Sequence, residues 1–145
     1  MNAIPHPIGL VLSQTAKVTT RYFDACLVSA GGTLPIWLIL QALQAQKGVM
    51  QSDLALAIGV QGPTLTHHLN GMEGQDLITR ARTPADRRNH LVTVTPAGQA
   101  RFDQLRQSAI DFDKSLRGAI SKTEMKQLRK LLAKIGAAAT AHVAG

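Results

Sequence analysis

Cysteine, aromatic side chains and long apolar runs are all scarce in this chain, and each scarcity excludes something. A single cysteine, Cys26, forbids an internal disulfide and suits a reducing compartment. No Cys/His pairs fall at zinc-finger spacing, so no metal site is expected. Aromatics are 3% of the 145 residues against 45% hydrophobic residues in all, which points to an aliphatic, helix-rich core. The densest apolar run, Ile36 to Leu43, is interrupted by Gln41 and is too short for a bilayer, so no membrane partner is expected. The first residues, Met1 to Pro7, lack the basic start and apolar stretch of a secretory signal, and a cytoplasmic location follows as the expectation. There is no nucleophile elbow, no phosphate-binding glycine loop and no carboxylate pair at metal spacing. Neither an enzyme nor a cofactor is expected.

Acidic residues are also in the minority, nine against sixteen lysines and arginines, and the net charge is +7 with a pI near 10.2. That balance favours an anionic partner, with double-stranded DNA the first candidate. The excess is uneven: +2 over residues 1–49, zero over 50–95 and +5 over 96–145. Within the neutral middle, however, Arg80, Arg82, Arg87 and Arg88 crowd into nine positions.

The chain is organised around residues 51–70, which read as two short helices and a tight turn. Leu54, Ala55 and Ile58 form an apolar stripe, and Gly59 follows where a left-handed cap suits a residue without a side chain. Pro63 fits a first helical turn, since the amide it lacks would have no intrahelical partner. Ala55, Gly59 and Leu65 have the spacing of a DNA-binding helix-turn-helix: a small residue at the crossing, a turn glycine and a locking leucine.

Around this head the pattern predicts mainly α structure with a small β-wing. A first helix runs over Ile8 to Ser29, with Ile8, Leu12, Thr15, Thr19, Phe23 and Cys26 on one face. Gly31-Gly32 ends it, Thr33 caps the next helix, and Ile36, Ile39, Leu40 and Leu43 make that helix's apolar face. Val49-Met50 reads as a very short strand. Residues 77–82 and 90–94 read as two strands joined by a polar turn over residues 83–89, which is the wing. Thr95 and Pro96 start a helix whose Phe102, Leu105, Ala109, Phe112 and Leu116 repeat at 3, 4, 3, 4, a seven-residue seam. Ser121 with Glu124 is a capping box that opens a last helix bearing Met125, Leu128, Leu132 and Ile135. These faces, with Ile8 and Leu12, exceed what a small winged core can cover, so a homodimer is expected through Ile8, Leu12, Phe102, Leu105, Phe112, Leu116, Leu128 and Leu132.

The order of pieces, with Asp86-Arg87-Arg88 followed by Val94-Thr95-Pro96-Ala97-Gly98, resembles the MarR family of bacterial transcriptional regulators over roughly residues 8–140. The resemblance implies a single winged helix-turn-helix domain over residues 1–145, with dimerisation helices at 8–32 and 96–141 and the DNA-binding part at 33–95. It also implies a homodimeric repressor on a palindromic operator, released by a small aromatic or hydrophobic ligand. Two positions depart from the family pattern: Gln61, where serine or threonine is frequent, and His68, where an aliphatic residue is usual.

Candidate DNA contacts on the second helix of the motif are Gln61, Gly62, Pro63, Thr64, Thr66, His67 and Asn70. Thr64 and His67 suit base edges, and Gln61 and Thr66 suit phosphates. On the wing, Arg82, Arg87 and Arg88 suit a narrow minor groove. By resemblance Arg88 enters that groove; Asp86, repelled by phosphate, orients an arginine. An ordinary solvated helix face and a solvated turn are the plain alternatives. His67 and His68 point about 100° apart on a helix and do not share a metal. His68 reads as a partly buried packing residue. Cys26 reads as a buried, inert thiol, with a redox-responsive regulator as the rival. Arg21, Tyr22 and Trp37 are candidate walls of a pocket for an aromatic anion, against core packing for Trp37. A helical dimer whose winged module binds protein is the remaining rival function.

Overall fold

The computed structural model describes residues 6–144. The reading of residues 1–5 as free of a signal lies outside them. The chain folds as α1 (Ile8–Ser29), α2 (Leu34–Ala42), β1 (Val49–Met50), α3 (Gln51–Ile58), α4 (Gly62–Gly74), β2 (Ile78–Thr83), β3 (Asp86–Val94), α5 (Pro96–Arg117) and α6 (Lys122–Ala144). It is mainly helical, with one antiparallel sheet in the order β1-β3-β2. Two compact units divide within α5: Met1–Ala109 and Ile110–Gly145.

Local chemistry accounts for the boundaries. Thr33 caps α2, its hydroxyl accepting the Ile36 amide at 3.4 Å, while the Asp24 carboxylate accepts the Leu34 amide at 2.8 Å. Gly59 closes α3 with φ 73°, a left-handed residue that lets the chain turn sharply into α4. Asp76, at φ 59°, plays the same part after α4, and its carbonyl accepts the Thr95 hydroxyl at 2.5 Å. Thr95 also accepts the Gly98 amide at 2.9 Å, which caps α5. Ser121 and Glu124 exchange reciprocal bonds of 3.0 and 3.1 Å at the start of α6.

The core of the first unit gathers Leu27, Ile39, Leu40, Leu54, Leu65, Leu69, Met72, Ile78, Val92 and Leu105, all essentially closed to solvent. Burying one such aliphatic side chain stabilises the fold by about 1.5–3 kcal/mol. The helix-turn-helix is thus seated on α2, the sheet and the first half of α5. Leu27, the one fully buried residue of α1, lies beside the stripe expected from the sequence, whose Ile8 and Thr15 are exposed.

Three expectations change here. Leu105 was expected in a dimer seam, but it is fully buried in its own unit, where its methyl groups press against Gly32. A Cβ on Gly32 would lie 2.6 Å from Leu105 Cδ1, so a larger residue there would push the Leu105 side chain aside. Phe102 packs in the same place, stacked on Trp37 with ring centroids 5.2 Å apart and planes within 4°. The seven-residue seam is therefore split in use: its first half closes the core, and only Phe112 and Leu116 remain beyond it. Finally, Cys26 is half-buried rather than buried, with its carbonyl accepting the Ser108 hydroxyl at 3.2 Å.

Among the described residues no single helix is long and apolar enough to cross a membrane. α1 and α2 reach the needed length and apolarity only as a pair bent by 83°, and α2 is a core helix.

Candidate nucleic-acid interface

α4 buries Leu65, Leu69 and Met72 and turns its other faces outward. Gln61, Gly62, Pro63, Thr64, His67 and Asn70 are exposed, which leaves a polar strip one helix long. No side chain caps the start of α4, so its first backbone amides are open to an outside acceptor. His68 is half-buried, its ring tilted 58° from that of His67 with centroids 5.8 Å apart. No group of three metal-ligating residues occurs among the described residues.

Two of the expected contact residues already have partners. Thr66 is half-buried, and its hydroxyl accepts the Gln51 side-chain amide at 2.8 Å. Asn70 Oδ1 accepts Arg80 Nη2 at 2.6 Å, and Arg80 also reaches Glu73 at 3.2 Å. The Arg80 guanidinium holds the Glu73 carboxyl below its ordinary value of 4.5, the side-chain hydrogen bond being the largest cause. Arg80 thus ties β2 to the end of α4. Sequence reading set it aside, although strand alternation places Ile78, Arg80 and Arg82 on one face.

The wing differs from the seven-residue turn expected. Only Pro84 and Ala85 form the turn, because Thr83 pairs with Asp86 through bonds between the Thr83 hydroxyl and the Asp86 backbone at 3.2 and 3.3 Å. Arg82 pairs with His90, so the register shifts at this point and Arg87, Arg88 and Asn89 have no partner in β2. Such a bulge re-aims side chains away from the sheet. Arg82, Arg87 and Arg88 are all exposed. Asp86 acts on an arginine through the backbone: its Oδ1 accepts the Arg88 amide at 2.9 Å.

Asn89 joins the wing to the helix-turn-helix. Its Oδ1 accepts the Ser52 amide at 3.2 Å, and its Nδ2 donates to Ser52 Oγ at 2.8 Å. Gln51, Ser52, Thr66, Arg88 and Asn89 line one crevice of about 420 Å³ between the starts of α3 and α4 and the wing. Gln51 Oε1 is buried there without a hydrogen-bond partner. Sequence reading missed Gln51, Ser52 and Asn89, whose pairing spans up to 37 positions and leaves no local signal.

The residues named for a ligand do not converge. Trp37 is 8% exposed and stacked on Phe102, so it packs the core instead of walling a pocket. Tyr22 is 59% exposed, with the Arg21 guanidinium 6.0 Å from its ring centre. Arg21 does line a crevice of about 600 Å³ between α1 and the start of α2, together with Lys17, Asp24, Leu34 and Pro35.

A helix-turn-helix with an exposed polar second helix, followed by a basic two-stranded hairpin, defines a winged helix-turn-helix protein. The model of the MarR family matches residues 33–90 of this chain. It is 26% identical over 129 residues to a transcriptional regulatory protein for the hcr operon of Thauera aromatica, covering 88% of this chain and 78% of that one. With the HTH-type regulator YdgJ of Bacillus subtilis it shares 28% identity over 119 residues, 82% and 71% of the two chains. The fold is similar to that of the repressor CouR, solved on a 23-mer DNA duplex, with TM-score 0.81, 23% identity and coverage of 93% and 99%. CouR from Rhodococcus jostii RHA1 bound to p-coumaroyl-CoA superposes with TM-score 0.76 at 24% identity, covering 93% and 95%.

Proposed function

We propose that this chain is a homodimeric, cytoplasmic repressor that reads a palindromic operator with α4 and grips the flanking minor groove with the wing. The observation that carries the reading is the juxtaposition of an exposed, uncapped α4 with the bulged arginines of β3. Thr64 and His67, three apart, face base edges, and Gln61 and the first amides of α4 take phosphates. Arg88 enters the minor groove, held in aim by Asp86 and by the Asn89–Ser52 bonds. Arg82 and Arg87 neutralise backbone charge. Asn70 and Thr66, engaged by Arg80 and Gln51, set the pose of α4 and contact DNA only in that pose.

Dimerisation rests on α6, a 23-residue helix in which nothing is buried. Leu128, Leu131 and Leu132 are 42–54% exposed along one stripe, and Ile8, Val11 and Val18 of α1 are likewise open. Apolar stripes of this kind need a partner surface. A dimer then spaces two copies of α4 on two half-sites.

The ligand reading moves from Trp37 to the α1–α2 crevice, where Lys17 and Arg21 stand over Leu34 and Pro35. A small aromatic anion fits that mix of cations and apolar floor. The p-coumaroyl-CoA on CouR supports an aromatic acid derivative as effector. It releases DNA only by binding the DNA-free spacing of the two α4 helices more tightly, and operator must weaken ligand binding by the same factor. Binding of salicylate-like acids, measured with and without operator and repeated on Arg21→Ala, tests this. Equal affinity in both states would refute it.

A further inference from the structure

The second unit carries a concave basic surface that DNA reading does not use. The turn from α5 to α6 and the first turns of α6 border an open pocket of about 560 Å³, lined by Arg117, Ile120, Lys122, Met125, Lys126 and Arg129 among others. Lys122, Lys126 and Arg129 follow at i, i+4 and i+7, so a helix projects them from one face. Like charges at this spacing destabilise a helix, and an anion between them relieves that cost. No carboxylate lines the pocket. Asp113 is committed to Arg117 at 2.6 Å, and the Glu124 carboxylate accepts the Ser121 amide on the capping box. Among the described residues none pairs with Lys122, Lys126 or Arg129. Ile120 and Met125, both half-buried, give the pocket an apolar wall.

We propose that this hairpin pocket binds a small organic anion, an apolar body bearing a phosphate or carboxylate head. Its volume falls in the range of small-molecule sites, about 300–1,000 Å³. The apolar body lies on Ile120 and Met125, and the head takes guanidinium and ammonium hydrogen bonds from Lys122, Lys126 and Arg129 along one face of α6. The site is distinct from the α1–α2 crevice, and its failure leaves the DNA reading untouched.

The test titrates 1-naphthyl phosphate into the full chain by calorimetry at fixed ionic strength, with Met125 methyl signals followed by NMR. The expected result is a saturable shift at Met125, which reports the hairpin pocket apart from any binding in the α1–α2 crevice. Lys126→Glu with Arg129→Glu should weaken binding at least about tenfold, and the milder Lys126→Gln with Arg129→Gln should weaken it in the same direction. Lys134→Glu, on the same helix outside the pocket, should leave the Met125 titration within about twofold of wild type. 1-Naphthalenemethanol, which lacks the anionic head, should bind at least about tenfold more weakly. The proposal is overturned by equal loss in Lys134→Glu, by equal binding of the uncharged alcohol, or by the absence of saturable binding because a second copy of the chain covers the hairpin.

Discussion

Ser52 and Asn89 hold each other by two hydrogen bonds across 37 positions, the Ser52 amide to Asn89 Oδ1 at 3.2 Å and Asn89 Nδ2 to Ser52 Oγ at 2.8 Å. The pair fastens the bulge of the wing to the start of α3. It therefore ties the residue next to Arg88 to the start of α3.

Asn89→Ala removes both bonds and Ser52→Ala removes one. Each should leave the fold intact, since both residues sit at the surface, and each should weaken operator binding. A double-mutant cycle on DNA affinity should give a coupling of about 1 kcal/mol. Strictly additive variants would show that the clasp does not aim the wing.

Gly98 is the most tightly enclosed glycine of the first unit. A Cβ there would overlap the Leu77 carbonyl oxygen and lie 2.8 Å from Val94 Cγ2, so α5 could not keep its seat on the sheet. Gly98→Ala should cost roughly 2–4 kcal/mol in denaturant unfolding, as overpacking against backbone does. A loss below about 0.5 kcal/mol would contradict that packing.

Leu105 and Leu132 separate core from assembly. Leu105→Ala should lower stability by about 2–5 kcal/mol and leave association unchanged at temperatures where the variant is folded. Leu132→Arg, on exposed α6, should instead shift light scattering from about 31 kDa, twice the 15.5 kDa chain, to the monomer. A dimer that survives Leu132→Arg together with Leu128→Arg would remove α6 from the interface.

Glu73 gives a pH signature. Its carboxyl is held down by Arg80, so its contribution to stability is present above the ordinary value of 4.5 and is lost as pH falls through the lower folded value. With Glu73 45% exposed the contribution is small, about 0.2–0.5 kcal/mol after screening. Carboxyl NMR should show Glu73 titrating below 4.5 in the native chain and returning toward 4.5 in Arg80→Ala. An unchanged midpoint in Arg80→Ala would break the assignment.

The helices, caps and turn of the reading head were legible because their signals are local. Thr33, Gly59, Pro63, Thr95 and the Ser121–Glu124 box each act within a few positions, and each does so in the fold. What was not legible joins distant segments. Heptad spacing put Leu105 in a seam, yet it cannot say whether the facing surface belongs to the same chain; Gly32, 73 positions away, supplies it. Trp37 beside Ile36 gives no sign of Phe102, on which it stacks. The wing loop read as longer than it is because polar residues 83–89 hide a bulge, and bulges follow from register, not composition. Arg80, Gln51 and Asn89 were missed for the same reason: their roles lie in partners brought close only by the fold.

The central claim, that α4 and the bulged wing grip DNA together, is tested most directly by fluorescence anisotropy on a duplex from the chain's own upstream region across a salt series. Wild type should bind with an affinity that falls steeply with salt. Arg88→Ala should weaken binding on operator and random duplexes alike and flatten the salt slope by about one unit. His67→Ala should lose about 1–3 kcal/mol on the operator alone. Wild-type affinity that is indifferent to salt, or an Arg88→Ala variant with an unchanged slope and affinity, would contradict the account.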